Sequence, residues 1–187
     1  MPVPDRAEEV LVYQTLLGAW PLDGDERGFR RRLDEYLVKA LREARLHTSW
    51  TSPDERYEKA VLAFVRSMLA PSNAPFRRDF LELEERLAWF GFLNSLGQVL
   101  LKAAAPGVPD FYQGSELWAL TLVDPDNRRP VDFAGRREML DSLVSRPAGP
   151  DLSGELLRGW RDGRVKLWLT WKALTRSYVA DFDQSSL

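Results

Sequence analysis

Nearly every long stretch of this chain repeats apolar residues at helical spacing, and a single short stretch reads as a strand. That combination limits the fold severely, because a strand must pair its backbone N–H and C=O groups with a neighbour. Phe29, Leu33, Tyr36, Leu37, Ala40, Leu41 and Ala44 follow the four-three-four rhythm of one helical face. Residues from about Asp5 to Ala19 form another such pattern, stopped by Pro21. Ser52 precedes Pro53 and stands three positions before Glu55, the signature of a capped helix start, and Tyr57, Val61, Phe64, Val65 and Met68 would be the buried face. Pro71 and Pro75 bracket a break before an apolar-rich helix from Phe76 to about Ala104, with Gly91 and Gly97 as candidate close-packing points. Later come a helix near Arg136 to Val144, a breaker stretch from Pro147 to Pro150, and a helical segment from Val165 to Ser177 carrying Trp168 and Trp171. Residues Tyr178 to Leu187 show no period and read as a frayed tail. Against this background Val108 to Tyr112 is a short apolar run between turn formers, suited to one buried strand although Pro109 denies it a ladder hydrogen bond. The chain therefore either folds without a sheet or supplies one strand to a sheet completed elsewhere.

A length of 187 residues allows one sizeable core, or one domain and part of another. The formal net charge of -2 gives no reason to expect nucleic acid or an anionic membrane as partner. Arg30, Arg31 and Arg32 are flanked by Glu26, Asp34 and Glu35 and read as a solvated helix face. The absence of Cys excludes disulfides, thiol nucleophiles and Cys-bound zinc, and fits a reducing compartment such as the cytoplasm. No apolar run reaches the roughly 18 residues of a membrane-spanning helix, and the N-terminus has no signal-peptide character. His47 is the only histidine, which speaks against a Ser/His/Asp triad or a multi-His metal centre, so no metal or cofactor is expected.

Residues 107 to 133, GVPDFYQGSELW followed by LVDPDNRRPVDF, concentrate Pro, Gly, Tyr, Gln, Trp, paired Asp, Asn and paired Arg in one non-periodic run. Such a run builds a core poorly and holds a polar ligand well. Within it Asp124-Pro125-Asp126-Asn127 is also good turn chemistry, since Asx side chains cap their own backbone. An ion pair from Asp126 or Asp132 to an arginine would hold this loop without touching any ligand.

Four blocks carry a family resemblance: VYQTLLGAWP at 12–21, LHTSWTSPDERYE at 46–58, GVPDFYQGSELW at 107–118 and LVDPDNRRPVDF at 122–133. Together they resemble the maltooligosyl trehalose synthases of the alpha-amylase superfamily, over nearly all of residues 8–175. The third block alone has the shape of that superfamily's last barrel strand, and the fourth makes the resemblance specific. The resemblance implies a mainly α chain: a helical insertion, the last strand and the last helix of a TIM-type barrel, truncated before the family's C-terminal beta domain. Its division would be a helical subdomain over 1–105, the last strand with its substrate-side loop and final helices over 106–177, and the tail over 178–187. It also implies an activity in the cytoplasm, the intramolecular transglucosylation that turns the reducing-end alpha-1,4 linkage of a maltooligosaccharide into an alpha,alpha-1,1 linkage. That chemistry needs two carboxyl groups roughly 5 Å apart across the scissile bond. In the family these lie on earlier barrel strands, so the resemblance implies a chain that has no catalytic residue of its own, is inactive alone, and has the remainder of the barrel as its partner.

The substrate-contacting residues implied by the matching blocks are Tyr112, Gln113, Glu116, Trp118, Asp124, Asp126, Asn127, Arg128, His47 and Trp50. Each also has a structural reading. Glu116 would bond sugar hydroxyls or an active-site arginine, or else accept loop amides; Trp118 would stack on a pyranose or pack in the core. His47 would bond sugar or favour the dipole at the end of the helix before it. Trp20, Trp89, Trp160, Trp168 and Trp171 read as core or interface anchors. Two other functions compete: a non-catalytic helical module binding carbohydrate or protein through Trp118 and the loop, and an autonomous glycoside hydrolase using Glu116 with Asp124 or Asp126. Without the rest of a barrel, Val108 to Tyr112 would leave unpaired groups and drive self-association or local disorder.

Overall fold

A computed structural model describes residues 2–184, with side chains described to residue 175. Among these the regular elements are helices: α1 (Arg6–Ala19), α2 (Glu26–Ala44), α3 (Glu55–Met68), α4 (Ala74–Ala104), α5 (Phe133–Val144), α6 (Pro150–Arg158) and α7 (Arg164–Gln184), with 3-10 turns at Asp126–Arg128 and Trp160–Asp162. No described helix is long and apolar enough to cross a membrane. The chain forms two compact units. The first comprises residues up to Phe90 with Leu120–Arg128, and the second Gly91–Ala119 with the chain from Arg129 onward. Helix α4 contributes to both.

The first unit is built on the face expected of α2, where Phe29, Leu33, Leu37 and Leu41 are buried at one-turn intervals. The first three join Val12, Leu16 and Trp20 of the first helical segment, Val65, Met68 and Leu69 around the end of α3, Phe80 of α4 and Leu122 of the loop. Trp20 sets its ring edge-on to Phe29 and Phe80, with centroids 5.5 and 4.8 Å away. In the second unit Phe92 lies against Trp118 and Trp160, both at 5.2 Å. Leu143, Leu152, Leu156, Val165 and Leu167 of α5, α6 and α7 are buried in the same unit.

Several expectations fail here. Val108 to Tyr112 is not a strand: the segment is irregular and Val108 is 86% exposed. The reason is the one its composition raised, since no strand is described that could pair with it and Pro109 has no N–H to offer. Helix α3 starts two residues later than the Ser52 cap, because Asp54 accepts from the Tyr57 amide at 3.0 Å while its own amide goes to Thr48. A Cβ built at Gly91 or Gly97 meets nothing, so neither is a close-packing point. The stretch after Pro147 is not only a breaker, because Pro150 opens α6 at its first turn. The last helix runs on to Gln184, and the rest of the expected frayed tail, residues 185–187, lies outside the described residues. Two of the three clustered arginines are not merely solvated: Arg30 donates to the Leu69 carbonyl at 3.0 Å and Arg32 reaches the loop.

Gly163, between the second 3-10 turn and α7, has φ +78, and a Cβ there would lie 3.2 Å from both Leu117 Cβ and the Trp118 amide nitrogen. Gly163→Ala is expected to cost about 1–2 kcal/mol from the left-handed backbone alone. The tight contact with the Leu117 side chain and the Trp118 amide adds to this and shifts Trp118. A urea melt measures the first effect, and the change in the Trp118 indole resonance the second; an unchanged midpoint would refute the argument.

Candidate functional site

The implied substrate residues divide between the two units. In the second unit the segment from Tyr112 to Trp118 is a turn closed by the Ser115 amide on the Tyr112 carbonyl at 3.0 Å. Gly114 has φ +85 and stands where a Cβ would press on Val131 at 3.2 Å, so this turn needs glycine. Tyr112 is 54% exposed and Gln113 is exposed. Glu116 faces the Arg136 guanidinium of α5 at 3.6 Å. Trp118 donates its indole N–H to the Trp160 carbonyl at 2.6 Å and packs edge-on against Phe92. Lys166 of α7 donates to the Leu117 carbonyl at 3.3 Å and lies 5.5 Å from the Trp118 ring centroid. Its burial and the neighbouring Lys102 charge lower its pKa, and Glu116 opposes the shift. Sequence reasoning missed Lys102, Arg136 and Lys166, whose spacing in the chain carries no sign that they gather around this turn.

In the first unit Asp124, Asp126, Asn127 and Arg128 lie on a loop strapped to α2. Arg32 binds Asp126 at 2.7 Å, with both side chains largely buried, and also donates to the Leu120 carbonyl at 3.3 Å. The same Asp126 oxygen accepts from the Leu122 amide at 2.8 Å. Lys39 donates to the Asp124 carbonyl, and Arg128 pairs with Asp124 at 2.5 Å. The Asp126 ion pair expected from the loop's composition is thus present, and Asp132 instead caps α5 through the Gly135 amide at 2.9 Å.

His47 and Trp50 occupy the segment between α2 and α3. Helix α2 ends at Ala44, with Arg45 in the left-handed conformation at φ +57, so His47 lies beyond the helix end and not on its dipole. Its Nε2 meets Asp5 at 2.8 Å and its ring lies 4.5 Å from that of Tyr57. Asp5 caps α1 in a reciprocal box with Glu8, and Tyr57 donates to Glu8. Asp5, Glu8 and His47 bring ligating atoms within 4.8 Å of one another, the arrangement a cation would need. Hydrogen bonding within the cap accounts for all three residues without a metal. The backbone amide of Glu8 and the His47 ring lower the Asp5 pKa, and burial with the bond to Glu8 raises that of Tyr57.

Beside this cluster Arg42 binds both oxygens of Glu58 at 2.7 and 2.8 Å, and Thr48 adds a third bond to Glu58 at 2.7 Å. The Arg42 bond is the main reason the Glu58 carboxyl titrates below its ordinary value of 4.5. Glu26 is likewise lowered by Arg77, and Glu155 by Arg146. A depressed folded-state pKa stabilises the fold above the unfolded value, and that stability is lost as pH falls through the folded value. Unfolding resistance is therefore expected to hold at neutral pH and to fall progressively below about 4.5, the ordinary glutamate value. Glu58→Gln should reduce both neutral-pH stability and the steepness of this acid loss, as read from urea midpoints across the range; an unchanged slope would remove Glu58 from the linkage.

No family model matches the chain. Two Mycobacterium tuberculosis proteins, from strains CDC 1551 and H37Rv, are each 41% identical over 143 residues and are named as maltooligosyl trehalose synthases. The match takes in 76% of this chain but 18% of each relative's length. A crystal structure of a maltooligosyl trehalose synthase superposes with a TM-score of 0.82 at 34% identity, covering 96% of this chain and 24% of that one. The Arthrobacter ramosus maltooligosyltrehalose synthase structure gives 0.73 at 37% identity, over 93% of this chain and 21% of that one. The seven helices thus match a helical part of those structures, and over this stretch the chain belongs to the maltooligosyl trehalose synthase family.

Proposed function

We propose that these residues serve an intramolecular transglucosidase that converts the reducing-end alpha-1,4 linkage of a maltooligosaccharide into alpha,alpha-1,1 in trehalose biosynthesis, an isomerisation in the cytoplasm. The observation that carries this reading is the agreement of 41% sequence identity with a 0.82 structural match to proteins of that name. The turn from Tyr112 to Trp118, the loop Asp124–Arg128 and the His47–Trp50 segment supply the substrate contacts. The reacting carboxylates come from outside these residues. Supporting this, Glu116 and Asp126 already answer Arg136 and Arg32, which suits orienting roles better than that of a free nucleophile.

The remainder of the barrel is the partner, and Val108 to Tyr112, irregular in this chain, takes up the last strand's place only where neighbouring strands are supplied to pair with it. Helix α4 supports this reading. It buries Phe80, Phe92, Val99 and Ala103, yet leaves Leu83, Leu87, Phe90, Leu93, Leu100 and Leu101 exposed. A helix apolar on both sides is one that is covered on both sides in its working state.

Complementation tests the proposal. The chain is supplied to a family enzyme from which the matching stretch has been deleted, and maltopentaose is followed for loss of reducing ends at constant total hexose. Loss is expected only when both parts are present. Loss with the chain alone would place the catalytic groups within these residues and overturn the division of labour; no loss with both parts present would overturn the reading itself.

A further inference from the structure

Trp50 is 57% exposed, and one side of its ring is covered by the Arg42 guanidinium, whose carbon lies 5.0 Å from the ring centroid. An exposed tryptophan alone means little. What distinguishes this one is the buried polar assembly beneath it. Glu58 is 5% exposed and Thr48 4% exposed. Arg42 grips both Glu58 oxygens, Thr48 donates to Glu58, and Thr48 in turn accepts from the Asp54 amide at 2.9 Å. Bidentate pairing fixes the plane of a guanidinium, and a fixed guanidinium orients the aromatic face laid over it. Desolvating these groups has a free-energy cost, and the geometry they produce is a preset indole at the surface.

The surroundings narrow the ligand class. The Arg42 charge is answered by Glu58, so the indole sits over a neutralised pair and does not select for anions. The flanking side chains are hydroxyls: Ser49 meets Thr51 at 3.3 Å and accepts from the Ser52 amide at 3.0 Å. Hydroxyls both donate and accept, as a sugar requires, and an indole face accepts the apolar C–H surface of a pyranose. Resting on the glucan reading given above, we infer that Arg42 and Glu58 are positioning residues that hold Trp50 as a stacking platform for one pyranose ring of an alpha-1,4-glucan.

The test is a titration of the 187-residue chain, carrying 15N-labelled tryptophan, with maltopentaose. The Trp50 indole signal is identified by its loss in Trp50→Phe. It is expected to shift saturably, and Trp50→Ala to weaken binding about tenfold. Because Trp50 is exposed, that variant should keep its circular dichroism and melting temperature. Arg42→Lys keeps the charge but not the planar fork, and should weaken binding nearly as much, whereas Trp50→Tyr should restore part of it. A merely structural role for Arg42 would lower the melting temperature and leave the affinity of the folded protein unchanged, which would overturn the positioning claim. Saturable binding with an unmoved Trp50 signal would overturn the platform and leave the glucan reading intact. Absence of any saturable shift would also overturn the platform, while complementation would still decide the enzymatic reading independently.

Discussion

Leu37→Ala is expected to destabilise the chain by roughly 2–5 kcal/mol, the range for emptying a closed core position. Leu37 is 1% exposed and sits between Leu33 and Leu41 on the face of α2 that forms the first unit's core. Little around it can collapse into the gap, since Leu33 and Val65 are themselves fully buried. Against a total stability of about 5–15 kcal/mol, this is a large fraction. The consequence is functional as well as structural, because α2 also carries Arg32 and Lys39, which strap the 120–128 loop, and Arg42, which holds Trp50. A urea melt should show a lower midpoint at unchanged slope, and hydrogen exchange should rise in both loops together. Leu101→Ala is the control: at 73% exposure the same chemical change should be nearly neutral in the isolated chain. Equal effects at the two positions would mean that the core assignment is wrong.

How much of this was legible in the sequence depends on how local the cause is. The four-three-four rhythm of α2 needs nothing beyond its own residues, and Phe29, Leu33, Leu37 and Leu41 are buried as it requires, while Tyr36 and Ala40 are half-buried and Ala44 is exposed. The turn chemistry of Asp124 to Asn127 is equally local, and the 3-10 turn at Asp126–Arg128 follows from it. Helix α6 was hidden because Gly154 lowers its propensity and Pro150, a helix opener here, reads equally as a breaker, and only Leu152 and Leu156, one turn apart, reveal a buried face. The α3 cap could not be chosen from spacing, because Ser52 and Asp54 are both good caps and the choice turns on Thr48 binding the Asp54 amide. Val108 to Tyr112 has the composition of a strand, but pairing is not a property of one segment. The cations around the candidate sites were the least legible part. Arg32 and Asp126 are 94 positions apart, and Arg42 and Glu58 are 16 apart. Such pairs are joined by packing, of which the one-dimensional pattern keeps no trace. The exposed second face of α4, conversely, was present in the sequence as an apolar run too broad for one-sided burial.

Arg32→Met is expected to free the 120–128 loop. Arg32 and Asp126 retain 14% and 11% side-chain exposure, so the pair lies between an exposed bridge, worth at most about 1 kcal/mol, and a fully buried one, whose breaking costs about 3–5. An intermediate loss of roughly 2–3 kcal/mol follows. Methionine preserves the apolar stem along α2, which isolates the guanidinium from its packing. Asp126 then loses the Arg32 guanidinium while its carboxylate still accepts from Leu122, so the Leu122 amide should exchange faster even though Leu122 remains an apolar part of the core. A double-mutant cycle with Asp126→Asn separates pairing from other effects: if the ion pair is the cause, the second substitution should add little to the first. Additive losses would mean that each residue acts through separate partners, Arg32 through the Leu120 carbonyl and Asp126 through the Leu122 amide. In the complementation assay Arg32→Met should reduce kcat/KM, and the way it does so assigns the loop's role. A rise in KM at constant kcat marks a loop that only binds maltooligosaccharide, whereas a fall in kcat marks one whose geometry is used in the transition state.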